Sequence, residues 1–153
     1  MTTRNLCILA TVALTLVVSG CEELPSDPTP SQQIVGDWKS SKVGAAFTPA
    51  SSMEFNFKAS GDVTVIIDAL TFMGTYTTIG SSFSVDVREI NITINGRGSF
   101  TGIYQITGSQ MKLELVPDPI PAGTAAPTPM EGIGSTTIGG VKTTTYVTEL
   151  QRK

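Results

Sequence analysis

From residue 52 onward, apolar and polar side chains take turns along the chain, and this period of two constrains the fold more than any other feature. Met53-Glu54-Phe55-Asn56-Phe57-Lys58 alternates without error, and Val63, Val65 and Ile67 follow on one face. The pattern returns in Phe83, Val85 and Val87, in Ile90, Ile92 and Ile94, in Phe100, Tyr104 and Ile106, and in Met111, Leu113 and Leu115. Successive side chains of a strand point to opposite faces, so each run describes a strand with one apolar side. Ser60-Gly61 and Asn95-Gly96 stand where tight hairpin turns are needed. No convincing amphipathic helix follows residue 34. Nine strands are expected, near 34–42, 52–58, 62–68, 72–78, 82–88, 89–94, 99–107, 110–116 and 142–151. Consecutive antiparallel strands with one apolar face close into an up-and-down barrel or pack as a sandwich.

An internal repeat sharpens this. Phe72-x-Gly74-x-Tyr76, then Gly80-Ser81-x-Phe83-x-Val85-x-Val87, matches Phe100-x-Gly102-x-Tyr104, then Gly108-Ser109-x-Met111-x-Leu113-x-Leu115, without a gap. Each unit reads as strand, Gly-Ser turn, strand, and the match predicts a shared hairpin geometry. Glycine two residues before tyrosine suits a sharp strand bend or a ring lying over bare backbone.

The amino terminus has a different character. Met1 to Asn5 carries Arg4 and no acid, Leu6 to Val18 is a thirteen-residue apolar run, and Ser19 and Gly20 are small. These are the three regions of a signal peptide. At about 1.5 Å per residue the run reaches only ~20 Å, short of a ~30 Å hydrocarbon core. Val18-Ser19-Gly20-Cys21 resembles the lipobox of bacterial lipoproteins. That resemblance implies cleavage before Cys21, a diacylglycerol thioether on its sulfur and acylation, palmitate for example, of the new amine. The expected location is the cell envelope, lipid-anchored, with Glu22 rather than aspartate after the cysteine favouring the outer membrane. Residues 21–33 are polar with Pro25, Pro28 and Pro30, and read as an extended tether. The expected organisation is therefore a leader at 1–20, a lipidated tether at 21–33 and one domain at 34–153.

What is missing also narrows the function. The chain has no histidine, and its two cysteines are Cys7 in the leader and Cys21. A disulfide or a zinc site in the domain is not expected, nor is any other metal or cofactor. Serine and threonine abound but lack a histidine base, and no G-x-S-x-G or S-x-x-K occurs. We therefore expect no enzyme. Once Arg4 leaves with the leader, nine basic residues face thirteen acidic ones, near −4, which gives no footprint for nucleic acid. Asp62, Asp86 and Glu114 fall on outward parities and should face solvent.

Gly36-Asp37-Trp38, followed by this run of hairpins, resembles the Gly-x-Trp signature and meander of lipocalins and of short lipocalin-like domains in bacterial lipoproteins. The resemblance implies an all-β fold, an antiparallel up-and-down barrel of eight to nine strands. It also implies that Trp38 plugs the closed end and that a basic residue near the last strand packs across it. Arg152 is the matching position. Closure would bring 34–42 beside 142–151.

Two functions fit such a barrel. One is a lipid-anchored binding module for a small apolar molecule, with Trp38, Phe55, Phe57, Val65, Tyr76, Phe83, Phe100, Tyr104 and Met111 as candidate pocket residues and the tyrosines as polar handles. A barrel of this size is also just narrow enough to fill itself with those side chains. The other is a protein–protein module, an inhibitor or assembly factor, working through 117–140 around a solid core. That stretch holds five of the nine prolines and is long for a structureless loop.

Overall fold

The computed structural model describes residues 33–80 and 86–153. The leader at 1–20, Cys21, the tether up to residue 32, and Phe83 and Val85 lie outside the described residues.

Seven strands follow one another: β1 (Gly36–Lys42), β2 (Met53–Phe57), β3 (Asp62–Ile67), β4 (Leu70–Ile79), β5 (Val87–Ile94), β6 (Gly98–Thr107) and β7 (Gln110–Asp118). An excursion then carries three two-residue strands, β8 (Thr124–Ala125), β9 (Thr137–Ile138) and β10 (Val141–Lys142), which form a small sheet of their own in the order β10-β9-β8. The chain re-enters as β11 (Val147–Arg152). The barrel is closed, antiparallel and up-and-down, in the order β1-β11-β7-β6-β5-β4-β3-β2.

The alternating pattern translates directly into an inside and an outside. Trp38, Phe55, Phe57, Val63, Val65, Tyr76, Ile90, Ile92, Tyr104, Met111, Leu113 and Leu150 are buried in one apolar cluster. Phe55 and Phe57 stack with ring centroids 5.7 Å apart, and Phe57 meets Tyr76 edge-on at 4.9 Å. The turns fall where the dipeptides place them. Gly96 takes a φ of 72° in the connection from β5 to β6, where the N–H of Arg97 donates to the carbonyl of Ile94 at 3.0 Å.

The expected seam closes. β1 pairs with β11, and Trp38 stands opposite Arg152. A sandwich would leave the first and last strands on separate sheets or open edges. Here neither edge remains.

Three expectations change. Where two strands were expected at 82–88 and 89–94, the described residues run from Val87 to Ile94 as one strand, β5, and the barrel has eight strands rather than nine. Apolar residues shift from odd to even numbers between Val87 and Ile90, which reads like a break. The strand instead runs through it, with Ile90, Ile92 and Ile94 in the core and Val87 buried on the outer wall. Likewise 142–151 is not one strand, because the N–H of Val147 turns back to the carbonyl of Thr144 before β11 begins.

The repeat also fails to give two equivalent hairpins. Tyr104 pairs with Leu113 across a two-residue Gly108-Ser109 turn, whereas Tyr76 pairs with Ile92, seven residues beyond the register the match implies. What the two units do share is the glycine. A Cβ on Gly74 would stand 2.1 Å from the carbonyl oxygen of Thr93, and one on Gly102 would stand 1.9 Å from that of Glu114. Each glycine thus lets a neighbouring strand press in beside the tyrosine.

Candidate functional site

The strand order gives the barrel two unlike ends. The start of β1, the β2–β3 and β6–β7 turns and the end of β11 gather at one. The β3–β4 and β5–β6 turns and the exit of β7 gather at the other.

The first end is plugged. Trp38 is fully buried, and its indole N–H donates to the carbonyl of Ile34 at 2.8 Å. Arg152 lies across the ring, 4.3 Å from its centroid, and donates to the carbonyls of Val35 at 2.9 Å and Gln33 at 2.5 Å. The chain thus enters the barrel at its closed end.

The opposite end is a mouth. A cavity of about 260 Å³ is lined by Ile67, Leu70 and Phe72 beside the β3–β4 turn and by Ile94, Arg97 and Phe100 beside the β5–β6 turn. Its wall is apolar apart from Arg97, whose guanidinium sits 4.6 Å from the centroid of Phe72. Leu70 is 59% exposed on the rim. A hydrocarbon guest would find aliphatic and aromatic surface here, with one cation at the edge to meet an anionic head.

Of the candidate pocket residues, Phe100 lines this mouth. Trp38, Phe55, Phe57, Val65, Tyr76, Tyr104 and Met111 are packed in the core beneath it, and Phe83 lies outside the described residues. The tyrosines are anchored. The Tyr76 hydroxyl donates to the carbonyl of Lys58 at 2.8 Å. Burial pushes both phenols above their ordinary range, with the nearby charge of Arg88 partly opposing this at Tyr104. Sequence reasoning found Phe100 but missed Ile67, Leu70, Phe72, Ile94 and Arg97 as a group. They come from the strand ends around two turns, with Arg97 alone in a turn itself, and a period-of-two reading says which face a residue takes but not which end of the barrel it reaches.

A second feature sits on the outer wall. Glu114 points outward, between the inward Leu113 and Leu115, yet it is fully buried. The expectation that it faces solvent is wrong because the excursion after β7 folds back over it. The N–H of Gly134 donates to its Oε2 at 2.6 Å, and that of Thr136 to its Oε1 at 2.9 Å. Ile103, Val116 and Val147, also on the outer face, are buried around it. Asp62 and Asp86 do face solvent. Residues 117–140 are thus in part a strap across the wall, and beside the strap runs a cleft of about 410 Å³.

Among the described residues, no group of three or more acidic, histidine or cysteine side chains is placed to hold a metal ion. Geometry and sequence together define a closed eight-stranded antiparallel β-barrel with one plugged end, one apolar mouth and a strapped outer wall. Comparison with known families, with curated proteins and with solved structures returned no match.

Proposed function

We propose that the chain is a lipid-anchored binding module of the bacterial envelope whose barrel mouth takes a small hydrophobic ligand, in the manner of a lipocalin-like domain. The observation that carries this is the apolar mouth itself, Ile67, Leu70, Phe72, Ile94 and Phe100 with Arg97 at the edge. Its volume lies just below the ~300–1,000 Å³ usual for small-molecule sites, so the guest is a short chain or a single ring rather than a bulky lipid. Arg97 favours a guest with an anionic end.

Val18-Ser19-Gly20-Cys21 supports the anchor, in the outer membrane by the preference that Glu22 implies. Because the chain enters at the plugged end, a lipid on Cys21 tethers the barrel from that end and leaves the mouth unobstructed by the tether. The absence of histidine and of a catalytic motif supports binding without turnover.

The test is a titration of the full-length chain with a fluorescent short-chain fatty acid. Fluorescence should rise to a one-to-one end point, and Leu70→Asp and Arg97→Glu should each weaken the interaction. No enhancement, or an enhancement that both variants leave unchanged, refutes the reading.

A further inference from the structure

The cleft on the outer wall has a composition unlike the mouth, and its floor is built by register. Lys42 of β1 pairs with Glu149 of β11, Glu149 with Lys112 of β7, Lys112 with Gln105 of β6, and Gln105 with Val87 of β5. One residue from each of five neighbouring strands therefore lies in a single outward row. At ~4.8 Å between strands the row is roughly 19 Å long. All five line the cleft, with Val147 beside them and with Gly132, Ile133 and Thr144 closing it from the strap.

The charges along this row are two ammoniums with a carboxylate between them, followed by an amide and an apolar end. Among the described residues no ion pair engages Lys42, Lys112 or Glu149. Lys42 and Lys112 are exposed, Glu149 and Gln105 are half-buried, and Val87 is buried. The cleft is thus net positive on a protein whose overall balance is acidic.

We infer that this cleft is a second, separate binding site, which takes a short acidic peptide segment of a partner protein laid across the strands. Two carboxylates of the segment meet Lys42 and Lys112, and a backbone N–H between them meets Glu149. The amide of Gln105 pairs with its main chain, and an apolar side chain rests on Val87, Val147 and Ile133. The two lysines are two strands apart, roughly 10 Å at the backbone, which matches acidic residues three apart in a polyproline II chain, where three residues per turn at ~3.1 Å each bring both side chains to one face. The site is independent of the mouth. It gives residues 117–140 a role in closing one side of the cleft.

The experiment uses the full-length chain and the fluorescein-labelled peptide Glu-Leu-Ser-Glu, capped at its carboxyl end, against its Lys-Leu-Ser-Lys counterpart, read by anisotropy. The acidic peptide should bind at least about tenfold more tightly than the basic one and should weaken as salt rises, as expected for exposed charges. Lys112→Glu and Lys42→Glu, both at exposed positions, should each weaken the acidic peptide about tenfold and improve the basic one, with unchanged thermal melts. Glu149→Gln should tighten the acidic peptide. Equal binding of the two peptides, no binding of either, or indifference to both lysine reversals overturns the inference. So does displacement of the acidic peptide by a sulfated oligosaccharide that itself binds more tightly. Fatty-acid binding at the mouth should be unchanged in all three variants, so failure of one site leaves the other standing.

Discussion

Arg152 places its guanidinium 4.3 Å from the centre of the Trp38 ring, directly opposite it in register across the seam that closes the barrel. The same side chain ties down the carbonyls of Val35 and Gln33, where the chain enters. Trp38→Ala should therefore cost ~3–5 kcal/mol, as for a fully buried large aromatic. Arg152→Ala should cost less, ~1–3 kcal/mol, from a contact worth ~0.5–2 and charge-assisted hydrogen bonds lost to solvent. Arg152→Lys should recover little of it, because an ammonium cannot keep the planar fork over the ring while reaching both carbonyls. Urea unfolding of the three variants checks the order. Equal losses at Trp38 and Arg152 would mean that the plug is held by the arginine rather than by burial.

The barrel was legible because its inward positions obey a strict rule of two, and hydrophobic parity needs no knowledge of partners. Trp38 opposite Arg152 was not read from parity alone: the resemblance of Gly36-Asp37-Trp38 to the Gly-x-Trp signature implied a basic residue across the ring, and closure of the first and last strands placed Arg152 there. Parity failed where an outward residue is covered by something other than solvent. Glu114 is correct in direction and wrong in environment, and nothing in its own neighbourhood announces the strap that returns some twenty residues later; Val87, read with the inner face, lies buried on the outer wall instead. The mouth was half legible, since Phe100 carries the inward pattern while Leu70 opens β4 outside the strand expected at 72–78 and Arg97 is a turn residue.

Gly74 and Gly102 should resist the smallest enlargement. In each case the obstacle is the backbone of a paired strand, which cannot rotate away as a side chain can. Gly74→Ala and Gly102→Ala should destabilise by at least the ~1–3 kcal/mol typical of overpacking. Gly80→Ala is the control. A Cβ there meets only the Arg88 guanidinium at 3.4 Å, and the position is exposed, so a change within ~0.5 kcal/mol is expected. Thermal melts that fail to separate the first two from the third would show that the strands can part at no cost.

Glu114 should govern whether the strap stays down. Each of its oxygens accepts one backbone N–H from the strap, so alanine leaves the buried Thr136 N–H without a partner, at ~1–3 kcal/mol, and the half-buried Gly134 N–H at less. Glutamine is expected to rescue only in part, because its amide nitrogen is a donor facing a donor. Hydrogen exchange should quicken at Gly134 and Thr136 in Glu114→Ala while β2 and β3 keep their protection. Uniform loss of protection through the barrel would contradict a local clasp.

Asp68 offers a pH-dependent test of the turn from β3 to β4. It holds a left-handed backbone with φ of 53°, and its Oδ1 accepts from the Ser51 hydroxyl at 2.7 Å and from the N–H groups of Ser52 at 2.9 Å and Ser51 at 3.0 Å. The Ser51 hydroxyl foremost, and these N–H groups with it, hold the carboxyl below its usual range. In the unfolded chain the carboxyl titrates near ~3.9. The folded form binds its proton less readily, so its contribution to stability is fully present above that value and disappears as pH falls through the lower folded pKa. Asparagine tolerates the left-handed backbone, so Asp68→Asn removes the charge without adding strain. The wild type should be the more stable from neutrality down to about pH 5, and the gap should close progressively below about pH 4. Glu54 is lowered too, chiefly by its hydrogen bond with Lys153, and it will contribute to acid unfolding of both proteins alike. The difference between the two curves therefore isolates Asp68. A gap that stays constant down to pH 2 would place the stabilisation in the turn's shape rather than in its carboxylate.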